Sequence, residues 1–255
     1  MSKDLVFIVS AGRTGTEFLG RKLSTMIDGA FSVHEPDIFY GPFDRRSWPN
    51  IRAFGLYHMV IGRILKRTGS RVLATQYRLG ELSHVQVVRR VRKSRERYFA
   101  SRPESLVIES NLQWSLILPV LRDAFPKAKV IVVTRDKESW VRSWMRRGDR
   151  YTERDVVRDG RLNPKLLGDP VAGPLWDGMS VEEKLNWEWT YTNDALLAFA
   201  ETDPLTRRFR YEDLFLAADR ANHFRQLLDF AARHGERHYP VSFDPAALDE
   251  RINAS

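Results

Sequence analysis

Apolar positions along this chain fall into short solid runs that alternate with stretches of helical spacing. Leu5 to Val9 are five consecutive apolar residues, the pattern of a strand buried on both faces. Phe18, Leu19, Leu23, Met26 and Ile27 then share one face of a helix. Ala30 to Pro36 reads as a short strand ending in the polar pair His34-Glu35. Ile51 to Lys66 reads as a helix, and Val85 to Tyr98 as another with Val85, Val88 and Val91 turned inward. Ser105 to Glu109 is a strand, and Leu112 to Phe125 is mostly helical with a kink expected at Pro119. Lys129 to Thr134, rich in β-branched residues, is the strongest strand signal. Asp136 suits the N-cap of a helix from Lys137 to Arg147. Periodicity then fails from Gly148 to Met179, a stretch rich in Gly, Pro, Arg and Asp that reads as a lid or loop over an acceptor. A capping box at Ser180 to Glu183 opens a long helix through Ala200. Arg207 to Tyr211 is a last short strand, and a helical tail runs to about His234.

Strands alternating with helices predict an α/β fold: a mostly parallel central sheet with helices on both faces. Ligands of such sheets bind beyond the carboxyl ends of the strands. Arg13, Glu35, Ser110, Arg135 and Tyr211 all stand at or just after a predicted strand end, so they can converge on one crevice.

The first strand runs into Ser10-Ala11-Gly12-Arg13-Thr14-Gly15-Thr16-Glu17. Gly12 and Gly15 allow a tight turn and a close approach of backbone to ligand. Free N–H groups at the start of the following helix suit a phosphate or sulfate. Arg13 adds a charge that does not titrate. A triphosphate loop with magnesium would carry Gly-Lys-Ser/Thr at this point. Gly15-Thr16-Glu17 lacks the lysine and puts a carboxylate at the metal-hydroxyl position, which disfavours ATP or GTP with magnesium.

Composition narrows the field. At 255 residues and 43% hydrophobic, the chain can build one sizeable core, taken as a single domain over 1–255 with 148–179 as an insertion. A net charge of +8 favours anionic partners. Without cysteine there is no disulfide, thiol nucleophile or cysteine metal site. The N-terminal apolar run is too short for a signal peptide or a membrane span, so a cytoplasmic protein is expected. Arg89 to Arg95 is a basic run that reads as the solvated face of its helix, without the aromatic interleaving of a single-stranded nucleic-acid site. No nucleic-acid partner and no metal are expected. Trp187 and Trp189 cannot share one narrow core stripe, so one of them is a candidate for the acceptor pocket or lid.

Arg135 ends a strand and Ser143 follows eight positions later on the next helix, so both can reach one phosphate. Together with the Arg13 loop and the run Arg210-Tyr211-Glu212-Asp213-Leu214, this resembles the sulfotransferases that use 3′-phosphoadenosine 5′-phosphosulfate (PAPS), nearer to the polysaccharide-type and bacterial members. The resemblance spans about residues 5 to 215 and implies a P-loop-like nucleotide-binding architecture. It implies that Gly12, Arg13, Thr14, Gly15, Thr16 and the Glu17 backbone hold the 5′-phosphosulfate. Arg135 and Ser143 would hold the 3′-phosphate. It further implies Glu35 as the base that takes the acceptor proton, with Arg13 and the loop N–H groups stabilising charge on the departing phosphate. His34 is the second choice, read as a histidine bonded at a strand end. PAPS would be the co-substrate, and the partner a small-molecule or glycan acceptor. Three departures stand out. Arg13 replaces the commoner lysine, Glu109 is followed by Ser110 rather than lysine, and the Arg-Lys-Gly clamp of cytosolic members is absent. The competing readings are a P-loop-type kinase using ATP and a non-catalytic protein that binds an anionic nucleotide or glycan.

Overall fold

The computed structural model describes residues 3–38, 41, 44–155 and 161–249. Five strands, β1 (Asp4–Ser10), β2 (Ala30–His34), β3 (Leu106–Ser110), β4 (Lys129–Thr134) and β5 (Thr206–Arg210), form one sheet in the order β2-β3-β1-β4-β5. Every pairing in it is parallel. The central strand β1 is where the order reverses: its successor β2 lies beyond β3 on one side, while β4 and β5 lie on the other. The α/β class expected from the sequence is therefore the observed one.

The alternation of side chains along the strands divides the core in two. Phe7, Val9, Val107, Val130 and Val132 pack on one face with Val87, Val91 and Phe99 of α5 (His84–Ala100) and Leu121 of α6 (Leu118–Ala124). Val6, Ile8, Ile108, Ile131 and Val133 face the other way, toward Leu19 and Leu23 of α1 (Thr16–Met26) and Phe224 and Leu228 of α10 (Arg220–Ala232). Burial on both faces is why these strands read as solid apolar runs. Beyond the carboxyl edge of the sheet a third cluster gathers Ala11, Trp140, Trp144, Tyr151, Trp176 and Leu185. It joins α7 (Lys137–Arg147) and α8 (Val181–Thr202) to the segment between them. Among the described residues no helix is long and apolar enough to cross a membrane.

Several expected elements change. Ile51 to Lys66 is not one helix. The chain forms α2 (Trp48–Phe54), stops at Gly55 with φ 90°, and resumes as a π-helical turn over Tyr57–Ile61 running into α3 (Gly62–Ile64). Pro119 does not kink a helix but opens α6, where its missing N–H costs nothing; Leu112–Leu116 is a separate 3₁₀ turn. On α5 Val87 and Val91 are buried and Val88 packs in part against the same core, whereas Val85, expected inward, is 66% exposed. Arg95, expected on the solvated face, is completely buried. Helix α4 (Ser70–Arg78) was not expected from the sequence.

Candidate active site

The glycine loop between β1 and α1 takes its shape from left-handed backbone at Gly12 (φ 81°), Arg13 (φ 55°) and Gly15 (φ 75°). It is held from several sides. Gly12 N–H donates to Ser10 Oγ at 3.0 Å, and Trp140 Nε1 of α7 donates to Gly12 O at 2.8 Å. Arg135 Nη1 donates to Arg13 O at 2.7 Å. At Gly15 an added Cβ would lie 2.5 Å from the Phe215 ring of α9 (Tyr211–Phe215), so only glycine fits this packed turn.

The loop leads into the N-terminus of α1, which has no side-chain cap. The first-turn N–H groups of a helix lack intrahelical acceptors and carry the positive end of its dipole. Thr14 Oγ1 is buried there without a hydrogen-bond partner. A buried hydroxyl without a partner beside an uncapped helix end suits a bound oxyanion. The Glu17 carboxylate pairs instead with Arg21 at 2.7 Å, one turn along α1.

Ser143 lies on α7, two turns beyond Arg135. Arg13 Nε donates to Ser143 Oγ at 3.1 Å, and the Arg13 guanidinium lies 5.8 Å from the Trp144 ring. Arg135 Nε donates to Ser139 Oγ at 3.0 Å, its guanidinium covers the Tyr211 ring at 4.4 Å, and its carbonyl accepts from Trp189 Nε1 at 3.0 Å. Neither Arg13 nor Arg135 forms an ion pair with a described residue. Burial, followed by repulsion from Arg147 and Arg135, pushes the Arg13 guanidinium below its ordinary value. Burial does the same to Arg135. Clustered guanidinium groups without ion-pair partners attract an anion with two or more negative charges.

On the other side of β1, Glu35 follows β2 directly. Its backbone is left-handed at φ 43°, fixed by Glu35 N–H donating to Ser110 O at 2.7 Å and Ile38 N–H donating to Glu35 O at 3.0 Å. A non-glycine residue in that region is held there by its surroundings, a recurrent feature of working sites. One carboxylate oxygen, Oε1, is buried and unpartnered. Burial, then repulsion from Asp37, raises the Glu35 carboxyl to about 7, against the pull of Arg71 and the Leu112 N–H. A carboxyl near 7 is matched to taking a proton at neutral pH.

His34 is placed differently. Its Nδ1 meets Ser110 Oγ at 3.2 Å, and Ser110 Oγ donates to Thr16 O at 2.9 Å. Burial pushes the imidazole down to about 4, which makes it a weak base. Ser110 is occupied in the same bonds, so both residues tie β2 and β3 to α1.

The residues that support Glu35 are not apparent from local sequence. Arg95 of α5 grips Glu109 with Nε at 2.8 Å and Nη2 at 2.9 Å, and reaches Asp37 Oδ1 at 3.3 Å. Trp114 Nε1 donates to Glu109 Oε1 at 3.0 Å, and Ser70 N–H donates to Asp37 Oδ2 at 2.8 Å. All three charged groups are buried, and Arg95 holds the Asp37 carboxyl well below its usual range against desolvation. Glu109 thus faces a structural ion pair and not the crevice. Trp140 and Phe215, which hold the glycine loop, were not singled out in the sequence; of the two tryptophans that were, Trp187 lines the cleft and Trp189 donates to Arg135 O.

The structure therefore sets Gly12 to Glu17, Arg135 and Ser143 around one corner of the carboxyl edge, with Glu35 two strands from the loop on that same edge. A cleft beside Ser10 and Ala11 extends the crevice toward α4 and the 148–179 segment, with Trp187 in its wall. The family described as "Sulfotransferase domain" matches residues 62–192, half of the chain; the match takes in Arg135 and Ser143 but begins after Arg13 and Glu35. No curated protein matches. Among solved structures, the sulfotransferase domain from the curacin biosynthetic pathway is 20% identical with a TM-score of 0.48, covering 96% of this chain and 76% of that one. The sulfotransferase domain of the Synechococcus PCC 7002 olefin synthase is 18% identical with a TM-score of 0.47, over 97% and 77%. A sulfotransferase from Alicyclobacillus acidocaldarius is 15% identical with a TM-score of 0.48, over 97% and 89%.

Proposed function

The chain belongs to the sulfotransferase domain family, and on that premise we propose that it moves a sulfuryl group from PAPS to the hydroxyl or amine of a small-molecule or glycan acceptor. The observation that carries the reading is the pair of guanidinium groups without ion-pair partners, Arg13 and Arg135, joined through Ser143 and Arg13 O beside the uncapped start of α1. One ligand with phosphate at both ends of an adenosine meets that demand.

The loop residues fit such a donor. Thr14 Oγ1 and the N–H groups from Arg13 to Glu17 surround the 5′-phosphosulfate on a turn shaped by Gly12, whose own N–H is held by Ser10 Oγ, and Arg135 and Ser143 take the 3′-phosphate. Arg13 serves the border between them, since its Nε already lies on Ser143 and its Nη groups have no hydrogen-bond partner among the described residues. The donor supplies an electrophilic sulfur on a phosphate leaving group. Glu35 accepts the proton of the acceptor hydroxyl as its oxygen bonds to sulfur. The sulfur–oxygen bond to the 5′-phosphate breaks, and Arg13 with the loop N–H groups holds the charge left on that phosphate. Adenosine 3′,5′-bisphosphate and the sulfated acceptor leave. No metal is needed for these roles.

Titration with adenosine 3′,5′-bisphosphate and with ATP–magnesium tests the reading. The bisphosphate is expected to bind at least about tenfold tighter, the worth of one charged hydrogen-bonded contact. Preference for ATP–magnesium would favour the kinase reading. Sulfuryl transfer that survives in Glu35→Gln, with the bisphosphate still bound, would remove Glu35 as base.

A further inference from the structure

Three arginines face the cleft beside Ser10 and Ala11: Arg71 from α4, and Arg150 and Arg161 from the segment between α7 and α8. Two are already paired. Arg150 Nε donates to Glu188 Oε2 at 2.6 Å, and its Nη2 bonds the other oxygen of the same carboxylate. Arg161 grips Asp155 through Nε at 2.6 Å and Nη2 at 3.1 Å. Arg71 has neither a hydrogen bond nor an ion pair with any described residue, although it lines the same cleft. Its position is built in. Asp37, two residues after Glu35, accepts from both N–H and Oγ of Ser70 at 2.8 and 3.1 Å, so the residue next to Arg71 is locked to the loop that carries Glu35.

We propose that Arg71 anchors an anionic group of the acceptor, a carboxylate or comparable oxyanion, while the body of that acceptor lies against Leu112, Leu116 and Trp187. The inference rests on the sulfotransferase reading and gives it a substrate class. Two arginines are gripped by carboxylates, whereas the third has no hydrogen-bonded counter-charge among the described residues, and a guanidinium fork suits a planar oxyanion. The cleft has about 70 Å³, and Leu112, Leu116 and Trp187 line it together with Arg71, so an anionic end and an apolar body can share it. Arg71 also draws down the Glu35 carboxyl, which places the anchored group within electrostatic range of the base.

Wild-type protein and Arg71→Gln, each saturated with adenosine 3′,5′-bisphosphate, are titrated calorimetrically with 3-phenylpropionate and with the matched neutral 3-phenylpropanamide. Wild type is expected to bind the carboxylate about tenfold more tightly, and Arg71→Gln to lose that preference while its bisphosphate affinity is unchanged. Equal affinities in wild type, no measurable binding of the carboxylate, or a preference that survives in Arg71→Gln would overturn the assignment and leave Arg71 as a partner of Glu35 alone. Failure of the bisphosphate to bind is a separate result. It removes the donor reading, and the same titration without nucleotide still decides the role of Arg71.

Discussion

Arg13 and Ser143 are 130 positions apart in the chain, yet Arg13 Nε donates to Ser143 Oγ at 3.1 Å. That bond fastens α7 to the glycine loop, and Arg135 fastens it a second time through Arg13 O. The residues expected to form two anion sites are therefore neighbours, so an anion bound beside one would change the charge felt at the other.

Arg135→Ala should weaken adenosine 3′,5′-bisphosphate about 10- to 100-fold, in line with roughly 1.5–3 kcal/mol for a charged hydrogen-bonded contact. Adenosine 5′-phosphate should lose far less. Fluorescence or calorimetric titration of both nucleotides reads the ratio, and equal losses would mean that Arg135 merely props the loop through Arg13 O.

Glu35→Gln should cut the chemical step by about 10²- to 10⁴-fold without loss of nucleotide binding. In the wild type, activity should rise with pH through about 7 as the raised carboxyl ionises. Stability moves the other way. Below the ordinary glutamate range both states are protonated. Between there and about 7 the folded state binds the extra proton, so stability falls as pH rises and levels off above. Melting of Glu35→Gln should therefore match wild type at pH 4 and exceed it at pH 8.5. The same offset at both values would show that the carboxyl is not perturbed.

Gly15→Ala should destabilise for two separable reasons. Left-handed backbone at φ 75° costs a Cβ-bearing residue about 1–2 kcal/mol, and the new methyl meets the Phe215 ring at 2.5 Å. Adding Phe215→Leu should recover the second part and leave the first. A double-mutant cycle with no coupling would show that the ring does not press on the loop.

Arg95→Met should cost about 3–5 kcal/mol, because Asp37 and Glu109 then remain buried without a counter-charge. Urea unfolding measures it. A loss below about 1 kcal/mol would mean that water reaches the pair and solvates it.

Local signals were sufficient for the elements built from nearest neighbours along the chain. Asp136 caps α7 by accepting from Ser139 N–H, and Ser180 and Glu183 form the capping box of α8. The solid apolar runs became the inner strands, since a strand covered on both faces has no polar side to show. Where Gly55 stops a helix or Pro119 begins one, the same signals misled, because both residues act on backbone geometry while hydrophobic periodicity continues past them.

By itself the chain determined the sheet, its alternation with helices, and the set of polar residues that follow the strand ends, since each of those follows from spacing within a few residues. Only the folded molecule decided which charges are satisfied. Arg95 and Arg71 both lie on helices carrying other arginines, yet one is enclosed between two carboxylates from other elements and the other faces a cleft with no ion pair among the described residues. Desolvation and ion pairing depend on partners tens of residues away, and no local pattern encodes them.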